Sequence, residues 1–380
     1  MTQDIKVLSA QHLTRQAAVV VGTRPGFIML APVIHALRRA EVRHFVIHTG
    51  QHYSPNMDAQ FFADLNLPDP EYKVEGVGRH PTHGGQTAAM LVGVEQALLK
   101  ERPRVVIVGG DANTNLAGAL AARKLSLQVA HVEACERSYD WRSPEEHNRR
   151  MIDHISEYLL CTNDKARKYL EKEAVLGKIF ITGNPKVDAS LQHLELAKAK
   201  SDALARFNLA PQGYAILTTH REESVDFPDI LQGILAGVSQ ASQELKLPVL
   251  FLAHPRTLKR LNEFGMWDWA RALPGLTISE AVGYLDFLNL LAHARLVLTD
   301  SGGVQQEACI HRVPAVTMHD FTEWTETLEH GANRLSGTTP QGIRNAAHEA
   351  FRKTGPWPMP FGDGTAGEKI VAILRPVIEA

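Results

Sequence analysis

Short apolar runs alternate along the chain with longer segments of helical periodicity. Ala17–Gly22 (AAVVVG) and Val105–Val108 (VVIV) are continuous apolar runs, as expected of strands that are covered on both faces. Gln86–Lys100 instead places its apolar residues on one helical face, and Pro144 begins a further predicted helix that ends near His154. This alternation predicts an α/β protein whose parallel sheets carry helices on both faces.

The predicted strands form two series, separated by a charged, alanine-rich helix from about Asp188 to Ala205. The first series is Ala17–Gly22, Phe45–Thr49, Val105–Val108, Gln128–Val132, Tyr158–Cys161 and Ile179–Thr182, and the second is Ala215–Thr218, Val249–Leu252, Leu276–Ile278, Leu296–Leu298 and Ala315–Thr317. We therefore predict two Rossmann-like doubly wound domains, over residues 1–187 and 188–365, that face a central cleft. A last helix, over residues 366–380, is expected to pack back on the first domain.

The composition of the chain limits the classes of partner that we expect. The chain has 380 residues and a net charge of −2, which favours a globular protein without a polyanion-binding surface, so we expect no nucleic-acid partner. No apolar run approaches the roughly 20 residues that span a bilayer, and the first residues lack the pattern of a signal peptide. We therefore expect a cytoplasmic protein without a membrane partner.

The cysteines support the same location. There are three of them, Cys135, Cys161 and Cys309, and none has CxxC spacing. We therefore expect neither a disulfide framework nor a cysteine-rich metal site, which suits a reducing cytoplasm.

Acidic side chains follow predicted elements of the first domain. Asp111 comes soon after the strand Val105–Val108, Glu133 ends the next strand, and Glu145 lies in the first turn of the helix that begins at Pro144. Each has a structural alternative, because aspartate is a good N-cap and the helix dipole stabilises glutamate in a first turn. Three acids at these positions of one domain nevertheless favour a catalytic cluster.

Two arginines of this domain are candidate substrate contacts. Arg24 lies in the turn Gly22–Gly26 (GTRPG), where a helix N-terminus favours anions and arginine could bind uracil or phosphate. An ordinary strand–helix turn explains the same residues. Arg149 could bind substrate, or could pair with Glu145 or Glu146 on its own helix.

The second domain carries its most informative stretch at 300–307 (DSGGVQQE). A predicted strand ends in Ser301, Gly302 and Gly303, and a helix begins at once, so backbone N–H groups and the serine hydroxyl form an anion site. Glu307 on that helix could accept hydrogen bonds from ribose hydroxyls. A tight strand–helix turn remains the alternative.

Two histidines follow strands of the second domain. His220 could be a general acid, a phosphate contact or an ordinary loop histidine. His254, in the segment His254–Arg256, lies in a loop that also carries phosphate-compatible groups.

Taken together, these segments resemble the non-hydrolysing UDP-N-acetylglucosamine 2-epimerase family. The matching stretches, in family order, are Gly22–Pro25, His48–Met57, Gly109–Ala122, His131–Ala134, Ser143–Arg149, Phe180–Ala189, Thr219–Ser224 and Leu298–Ala308. The resemblance implies a GT-B fold, usually a homodimer, a UDP-sugar substrate held mainly by the second domain, and neither cofactor nor metal.

The resemblance also assigns roles. Four residues match the family's catalytic positions: Asp111, Glu133, Glu145 and His220. Others match contacts to the UDP-sugar: Arg24 from the first domain, and Ser301, Gly302 and Glu307 from the second, beside Gly303. Gln51 and His52 match a loop linked to an allosteric UDP-N-acetylglucosamine site in bacterial members.

The chain departs from the family pattern at several positions. Gly26 and Met29 stand where the family usually has glutamate and lysine, Cys135 stands where it has glycine, and Trp324 lies in a segment that usually reads TERPE. His319–Asn333 is more similar to the branch that acts on UDP-2,3-diacetamido-2,3-dideoxyglucuronate, which makes that sugar an alternative substrate.

The implied reaction starts from a C2 proton that is not acidic. Departure of UDP from C1 makes its removal easier, because positive charge develops at C1 and a carboxylate can stabilise that charge. Proton loss gives a glycal, and reprotonation from the other face followed by return of UDP inverts C2. A GT-B glycosyltransferase and a non-catalytic nucleotide-sugar sensor are the alternatives from other classes.

Overall fold

The structure is a computed structural model, and it describes residues 16–51, 66–353 and 356–380. Its described residues divide into two compact units: a first unit that runs to Ala189 and includes Phe361–Ala380, and a second unit, Ser190–Pro360. The chain passes from the first to the second within one helix. Each unit contains one parallel sheet with interleaved helices, which confirms the predicted α/β class.

The first unit contains a seven-stranded sheet with the order β3-β2-β1-β4-β5-β6-β7. Its strands are β1 (Ala17–Val21), β2 (His44–His48), β3 (Tyr72–Lys73), β4 (Val105–Gly109), β5 (Gln128–Ala134), β6 (Tyr158–Cys161) and β7 (Lys178–Ile181). Its helices are α1 (Arg24–Arg39), α2 (His83–Glu101), α3 (Asn113–Lys124), α4 (Pro144–Ile155), α5 (Asp164–Glu173) and the boundary helix α6 (Pro185–Lys200).

The second unit contains a six-stranded sheet with the order β10-β9-β8-β11-β12-β13. Its strands are β8 (Ala215–Thr218), β9 (Val249–Ala253), β10 (Leu276–Glu280), β11 (Leu296–Thr299), β12 (Ala315–Thr317) and β13 (Asn333–Leu335). Its helices are α7 (Ala203–Arg206), α8 (Glu222–Val225), α9 (Pro228–Leu245), α10 (Pro255–Glu263), α11 (Trp267–Arg271), α12 (Tyr284–His293), α13 (Gly302–Ile310), α14 (Thr325–Glu329) and α15 (Pro340–Arg352).

Strand order reverses at the centre of both sheets. In the first sheet β1 pairs with β2 on one side and β4 on the other, and in the second β8 lies between β9 and β11. The loops after the two central strands leave in opposite directions at such a point, and the opening between them is where open α/β sheets bind ligands. Asp111 follows β4, and His220 and Asp300 follow β8 and β11, whereas Glu133 lies at the end of β5 and Glu145 lies in α4.

The apolar runs that predict strands form the cores. All five residues of β1 and of β4 are buried, and the aliphatic face of α1 covers the sheet with Leu30, Val33 and Leu37. At the start of α1 the Thr23 hydroxyl accepts a hydrogen bond from the Gly26 N–H at 3.3 Å, as an N-cap does. This cap fixes the direction in which the Gly22–Gly26 turn leaves the sheet.

The last helix, α16 (Ala366–Glu379), packs against α1. A Cβ on Gly367 would lie 2.7 Å from the Pro32 carbonyl oxygen, so only glycine allows this close approach. The Asp188 carboxylate accepts a hydrogen bond from the Gly367 N–H at 2.8 Å and ties the helix to the start of α6. Burial raises the pKa of Asp188, although these backbone N–H groups oppose the rise.

Two strands escape the sequence-based prediction. Tyr72–Lys73 contains only two residues, and Asn333–Leu335 (NRL) lacks an apolar run, so neither shows a strand pattern. Both lie at sheet edges, where pairing with one neighbour replaces hydrophobic burial as the cause of the strand. The predicted helix at 188–205 begins earlier, at Pro185, and ends at Lys200, before the separate short helix α7.

The expectation that the cysteines are unpaired is wrong for two of them, because Cys135 and Cys161 form a disulfide. They are 26 residues apart, and the pairing of β5 with β6 sets Ala134 beside Cys161, which brings the two side chains together. The spacing of these two cysteines along the chain does not indicate that they lie close together in the fold. Cys309, in the second unit, is a buried free thiol, and burial raises its pKa to about 11.

Candidate active site

Asp111 lies just beyond the carboxyl end of β4. The chain turns at Gly110, which has a φ of 81° and so needs glycine, and α3 begins two residues after Asp111. The Asp111 carboxylate forms an ion pair with the Arg149 guanidinium, and the two side chains are 39% and 14% exposed. Asn148 donates from its side chain to the Asp111 carbonyl oxygen at 2.9 Å. Helix α4 therefore holds the Asp111 loop from one side.

Glu133 lies at the end of β5 in a backbone conformation that is uncommon for a residue with a side chain. Its φ is 61°, and the register between β5 and β6 shifts between Val132 and Ala134, which marks a β-bulge. Bulges re-aim side chains and recur beside active sites. The re-aimed Glu133 carboxylate is 10% exposed, and its Oε1 accepts hydrogen bonds from Lys186 Nζ and Asn184 Nδ2, both at 2.8 Å.

A buried layer of charged groups supports this region. The His131 ring contacts the Asp153 carboxylate through Nδ1 at 2.7 Å and the Gly110 carbonyl oxygen through Nε2 at 3.0 Å. Arg137 pairs with the other Asp153 oxygen at 2.8 Å. Burial would raise the pKa of Asp153, but the His131 and Arg137 partners outweigh it and the pKa is lowered. Because His131 holds Gly110, this layer fixes the turn that carries Asp111.

The adjacent acids of α4 have different surroundings. Glu146 is fully buried and accepts hydrogen bonds from the Ser138 N–H and from Arg149 and Arg150. Burial opposes its ionisation, but these donors lower its pKa. Glu145 is exposed and accepts one hydrogen bond, from the Ser143 hydroxyl at 2.7 Å. Glu146 is thus a structural partner of Arg149, as one of the alternatives held, and Glu145 is the acid of this pair that can meet a ligand.

The remaining candidates of the first unit lie on loops after β1 and β2. Arg24 is exposed at the start of α1. Gln51 accepts hydrogen bonds from the Thr114 N–H at 2.9 Å and from its hydroxyl at 2.8 Å, and so caps the start of α3. His52 lies outside the described residues. The allosteric role of Gln51 and His52 stays a prediction.

His220 in the second unit is oriented by a buried acid. Asp300 directly follows β11. Its Oδ1 contacts His220 Nδ1 at 3.1 Å. Its Oδ2 accepts hydrogen bonds from the His220 N–H at 2.9 Å and from the Thr219 hydroxyl at 2.7 Å. Burial would raise the pKa of Asp300, but these hydrogen bonds and the charge of His220 lower it to about 2. The His220 side chain is 41% exposed and keeps Nε2 on the side away from Asp300.

The start of α13 follows directly. Ser301 is the N-cap residue, and its hydroxyl makes no capping hydrogen bond, so this oxygen is not used by the helix. Gly302 is buried, and a Cβ there would lie 2.2 Å from Glu323 Oε1 and 3.1 Å from Trp324 Nε1, whereas Gly303 is exposed. Unused backbone N–H groups at a helix N-terminus attract anions. The arrangement suits a diphosphate.

Glu307 lies one turn further along α13, beside Tyr284 of α12. Burial, the nearby Glu307 carboxylate and a hydrogen bond to it raise the pKa of Tyr284 well above its usual value. The Tyr284 ring also packs edge-on against His193. Glu307 therefore lies beside the Tyr284 ring, and a carboxylate at this position can accept hydrogen bonds from hydroxyl groups.

His254 is the N-cap residue of α10 and Arg256 lies in the first turn of that helix, so the prediction of a loop here is wrong, and Arg256 is not a free cation. Arg256 pairs with Glu222 at 2.8 Å and with Asp226, and His254 Nδ1 accepts the Arg256 N–H. The pKa of His254 is lowered by burial first, and then by His220, whose ring centroid lies 5.5 Å away, and by Arg256. Of the two histidines in this region, His220 is the one with a carboxylate partner.

A sequence profile described as UDP-N-acetylglucosamine 2-epimerase matches residues 35–375. The chain belongs to this family. The UDP-N-acetylglucosamine 2-epimerase of Methanocaldococcus jannaschii is 46% identical over 361 residues, which cover 94% of this chain and 98% of that protein. The UDP-2,3-diacetamido-2,3-dideoxy-D-glucuronate 2-epimerase of Pseudomonas aeruginosa is 37% identical over 340 residues, 88% of this chain and 92% of that protein.

A solved structure agrees with the sequence relatives. The crystal structure of the M. jannaschii UDP-GlcNAc 2-epimerase in complex with UDP-GlcNAc and UDP has a TM-score of 0.85 to this chain, with 46% identity, and covers 95% of this chain and 99% of that one. The fold is therefore of the GT-B type that the resemblance implies, and the chain is a member of an isomerase family. The UDP-N-acetylglucosamine branch is favoured over the diacetamido-glucuronate branch.

One departure from the epimerase pattern has a structural explanation. Cys135 has a φ of 78°, the left-handed region that favours glycine, which is the residue that the family pattern has there. The Asp153 carboxylate accepts the Cys135 N–H at 3.3 Å, and the disulfide to Cys161 fixes its side chain. The chain therefore keeps the backbone of the pattern with a different residue.

Three residues that contact the candidate groups were not singled out from the sequence: Asn184, Lys186 and Asp300. Asn184 and Lys186 lie 51 and 53 residues after Glu133, and Asp300 lies 80 residues after His220, so no local spacing links them. All three lie in stretches that match the family pattern, Phe180–Ala189 and Leu298–Ala308, and this match is the signal in the sequence that points to them.

Among the described residues, no group of three or more side chains is arranged to hold a metal ion, and no helix is long and apolar enough to cross a membrane.

Proposed function

We propose that this protein is a non-hydrolysing UDP-sugar 2-epimerase that interconverts UDP-N-acetylglucosamine and UDP-N-acetylmannosamine by elimination and re-addition of UDP. The observation that carries the proposal is the set of acids at the carboxyl edge of the first sheet. Glu133 is aimed by a left-handed backbone, Asp111 is held by Arg149, and Glu145 is exposed at the start of α4. The M. jannaschii relative with 46% identity has the same substrate in its name.

The second unit supplies the UDP site. The unused N-terminus of α13, with Ser301, Gly302 and Gly303, binds the diphosphate, and Glu307 binds ribose hydroxyls. The protonated His220 ring donates from Nε2 to a phosphate oxygen, while Asp300 accepts from Nδ1 and stabilises the charged ring. Arg24, from the first unit, is a further nucleotide contact.

In the first step the C1–O bond breaks, and its electron pair leaves with UDP. The carboxylates of Asp111, Glu133 and Glu145 stabilise the positive charge that develops at C1 and the ring oxygen. One of these carboxylates then takes the C2 proton, and the C2–H electron pair forms the C1–C2 double bond of a glycal. A proton delivered to the opposite face of C2, and attack of the UDP oxygen on C1, give the inverted sugar. Arg149 positions Asp111 throughout.

We further propose a homodimer in the cytoplasm, without nucleic acid as a partner. The dimer rests on the family resemblance, and the location on the substrate class, because UDP-sugars are made from cellular UTP. Light scattering of the purified protein tests the dimer. Fractionation of the producing cells tests the location, since the protein should be recovered with the cytoplasmic fraction.

The experiment that tests the activity is proton NMR of the purified protein with UDP-N-acetylglucosamine in D2O. We expect UDP-N-acetylmannosamine to appear with deuterium at C2, without free N-acetylmannosamine. Absence of both epimerisation and exchange would contradict the proposal.

A second substrate is favoured by one observation, the 37% identity to the P. aeruginosa UDP-2,3-diacetamido-2,3-dideoxy-D-glucuronate 2-epimerase. Offering that UDP-sugar in the same NMR assay separates the two branches. Turnover of the diacetamido sugar alone would reassign the substrate while leaving the reaction unchanged.

A further inference from the structure

Lys186 lies against the acids of the first unit. Its Nζ is 2.8 Å from Glu133 Oε1, and the side chains of Lys186 and Glu133 are 23% and 10% exposed. Asn184, two residues earlier, donates to the same oxygen at 2.8 Å. We propose that Lys186 is a positioning residue for Glu133, whose ammonium group fixes the carboxylate and offsets its charge during proton transfer at C2. The inference rests on the proposed epimerase function.

The place of Lys186 in its own helix is unfavourable. It lies in the first turn of α6, directly after Pro185, where the positive end of the helix dipole repels a cation. Burial opposes its charge as well, yet the carboxylates of Glu133, Asp111 and Glu136 outweigh burial and raise the pKa of Lys186. The helix dipole and burial thus disfavour a charged lysine here, whereas the carboxylates of other elements favour it. The tertiary surroundings, and not the helix, therefore favour a lysine at this position.

The positive charge beside Glu133 comes from Lys186 of α6 and not from α1. The family pattern has lysine at the position of Met29, which is 3% exposed on α1. A Cβ placed on Gly110 would lie 3.2 Å from the Met29 methyl carbon and 3.5 Å from Glu133 Oε2. The end of the side chain at 29 and the Glu133 carboxylate therefore border the same space. Met29 leaves this space without a charge from α1, and Lys186 provides one from α6.

The charges that face Glu133 and Lys186 come from four elements. Asp111 follows β4, Glu133 and Glu136 belong to β5 and its following loop, Lys186 belongs to α6, and Arg149 of α4 pairs with Asp111. With Lys186, two cations face three acids. Without it, Arg149 is the cation that remains paired with these acids in the described part of the chain, and carboxylates in a partly buried site repel one another. Removing this cation should therefore alter proton transfer more than substrate binding.

The test compares Lys186→Met and Lys186→Gln with wild type, using UDP-N-acetylglucosamine turnover, C2 deuterium exchange in D2O and calorimetric titration with UDP. We expect kcat to fall at least 10-fold in both variants and the acidic limb of the pH–rate profile to move to higher pH. The affinity for UDP should change less than 2-fold. Lys200→Met, an exposed lysine on the same helix, is the matched control and should keep wild-type kcat.

Rescue distinguishes charge from packing. Lys186→Arg, and Met29→Lys added to Lys186→Met, should each recover at least a third of the lost turnover, because each returns a cation to this space. Unchanged kcat and pH profile in Lys186→Met would overturn the inference, as would folded, UDP-binding variants that neither rescue restores. If wild type itself shows neither turnover nor deuterium exchange, the proposed function fails and the inference fails with it. Normal wild-type turnover separates that outcome from the others.

Discussion

The two units share a topology and differ in the charges that they present. The candidate site of the first unit contains several carboxylates, two of which pair with cations: Asp111 with Arg149 and Glu133 with Lys186. The second unit buries its acid, Asp300, behind His220, and presents the unused N–H groups of α13. A diphosphate is repelled by the first arrangement and attracted by the second, whereas a developing positive charge at C1 has the opposite preference.

The two units differ in chemistry because of their loop residues and not because of their sheets. The candidate groups lie at or just beyond the carboxyl ends of strands: Asp111 after β4 and Glu133 at the end of β5 in one sheet, and His220 after β8 and Asp300 after β11 in the other. The scaffold therefore sets only the location, and the loop residues set the chemistry. If this division of roles holds, variants of the acids in the first unit should alter turnover without altering UDP affinity, and variants at the start of α13 should alter UDP affinity.

The largest expected effect comes from neutralising the acids of the first unit. Asp111→Asn, Glu133→Gln and Glu145→Gln should each reduce kcat by about 10²- to 10⁴-fold, because an amide neither accepts a proton nor stabilises a cation. Steady-state turnover and calorimetric UDP binding, measured on the same samples, separate the two effects. Near-wild-type turnover in all three variants would remove the assignment, and lost UDP affinity would break the division between units.

The next effect concerns the disulfide, which lies beside Glu133 in the first unit. Reduction of Cys135–Cys161, which closes a loop across 26 residues, should lower the free energy of unfolding by about 3 kcal/mol, since the reduced chain gains entropy when it unfolds. Thermal melts with and without dithiothreitol measure this. A Cys135→Ala, Cys161→Ala double variant is the control and should not respond to the reductant. A wild type that titrates three free thiols before reduction would contradict the pairing.

A smaller effect is expected from the buried acid of the second unit. The pKa of Asp300 is lowered to about 2 from an ordinary value near 3.8, so its ionised form stabilises the fold above about pH 4, and this contribution is lost as the pH falls to about 2. Its size is about 2 kcal/mol. Asp300→Asn should therefore melt below wild type at pH 6, and the gap should narrow between pH 4 and pH 2. Asp268→Asn, at an exposed position of the same unit, should show no such gap.

The smallest effect tests the diphosphate site. Gly302→Ala places a methyl group against Glu323 Oε1 and Trp324 Nε1, so the start of α13 must shift or those side chains must move. We expect UDP affinity to fall about 10-fold, or about 1.4 kcal/mol, measured by calorimetry. Gly283→Ala, at the start of α12, meets no atom within 4 Å and should bind UDP as wild type does. Equal affinities for the two variants would move the diphosphate away from α13.

Sequence patterns predicted the sheets well because strands that are buried on both faces appear in the sequence as continuous apolar runs. The runs at 105–108 and 215–218 are both strands, within one residue of the predicted bounds. Edge strands such as Asn333–Leu335 lack such an apolar run, because they depend on hydrogen bonds to a neighbouring strand. The carboxyl ends of strands were predictable for the same reason as the strands themselves.

The contacts within the candidate site were harder to predict. The alternative that Arg149 pairs with Glu146 follows from helical spacing and is correct, but its second pairing, with Asp111, needs the tertiary fold. The same holds for Lys186 with Glu133, for Asp300 with His220 and for the Cys135–Cys161 disulfide. Each joins residues that are far apart in the sequence and that only the order of the strands and the packing of the helices bring together.

The proposed epimerisation requires UDP to stay bound to the second unit while the acids of the first unit act on the sugar. Positional isotope exchange tests it most directly, with UDP-N-acetylglucosamine that carries 18O in the bond between C1 and the β-phosphate. The account predicts that 18O moves to non-bridging phosphate positions in the recovered substrate, at a rate at least equal to C2 deuterium exchange and without accumulation of free UDP. Epimerisation with the label left in the bridge would contradict it.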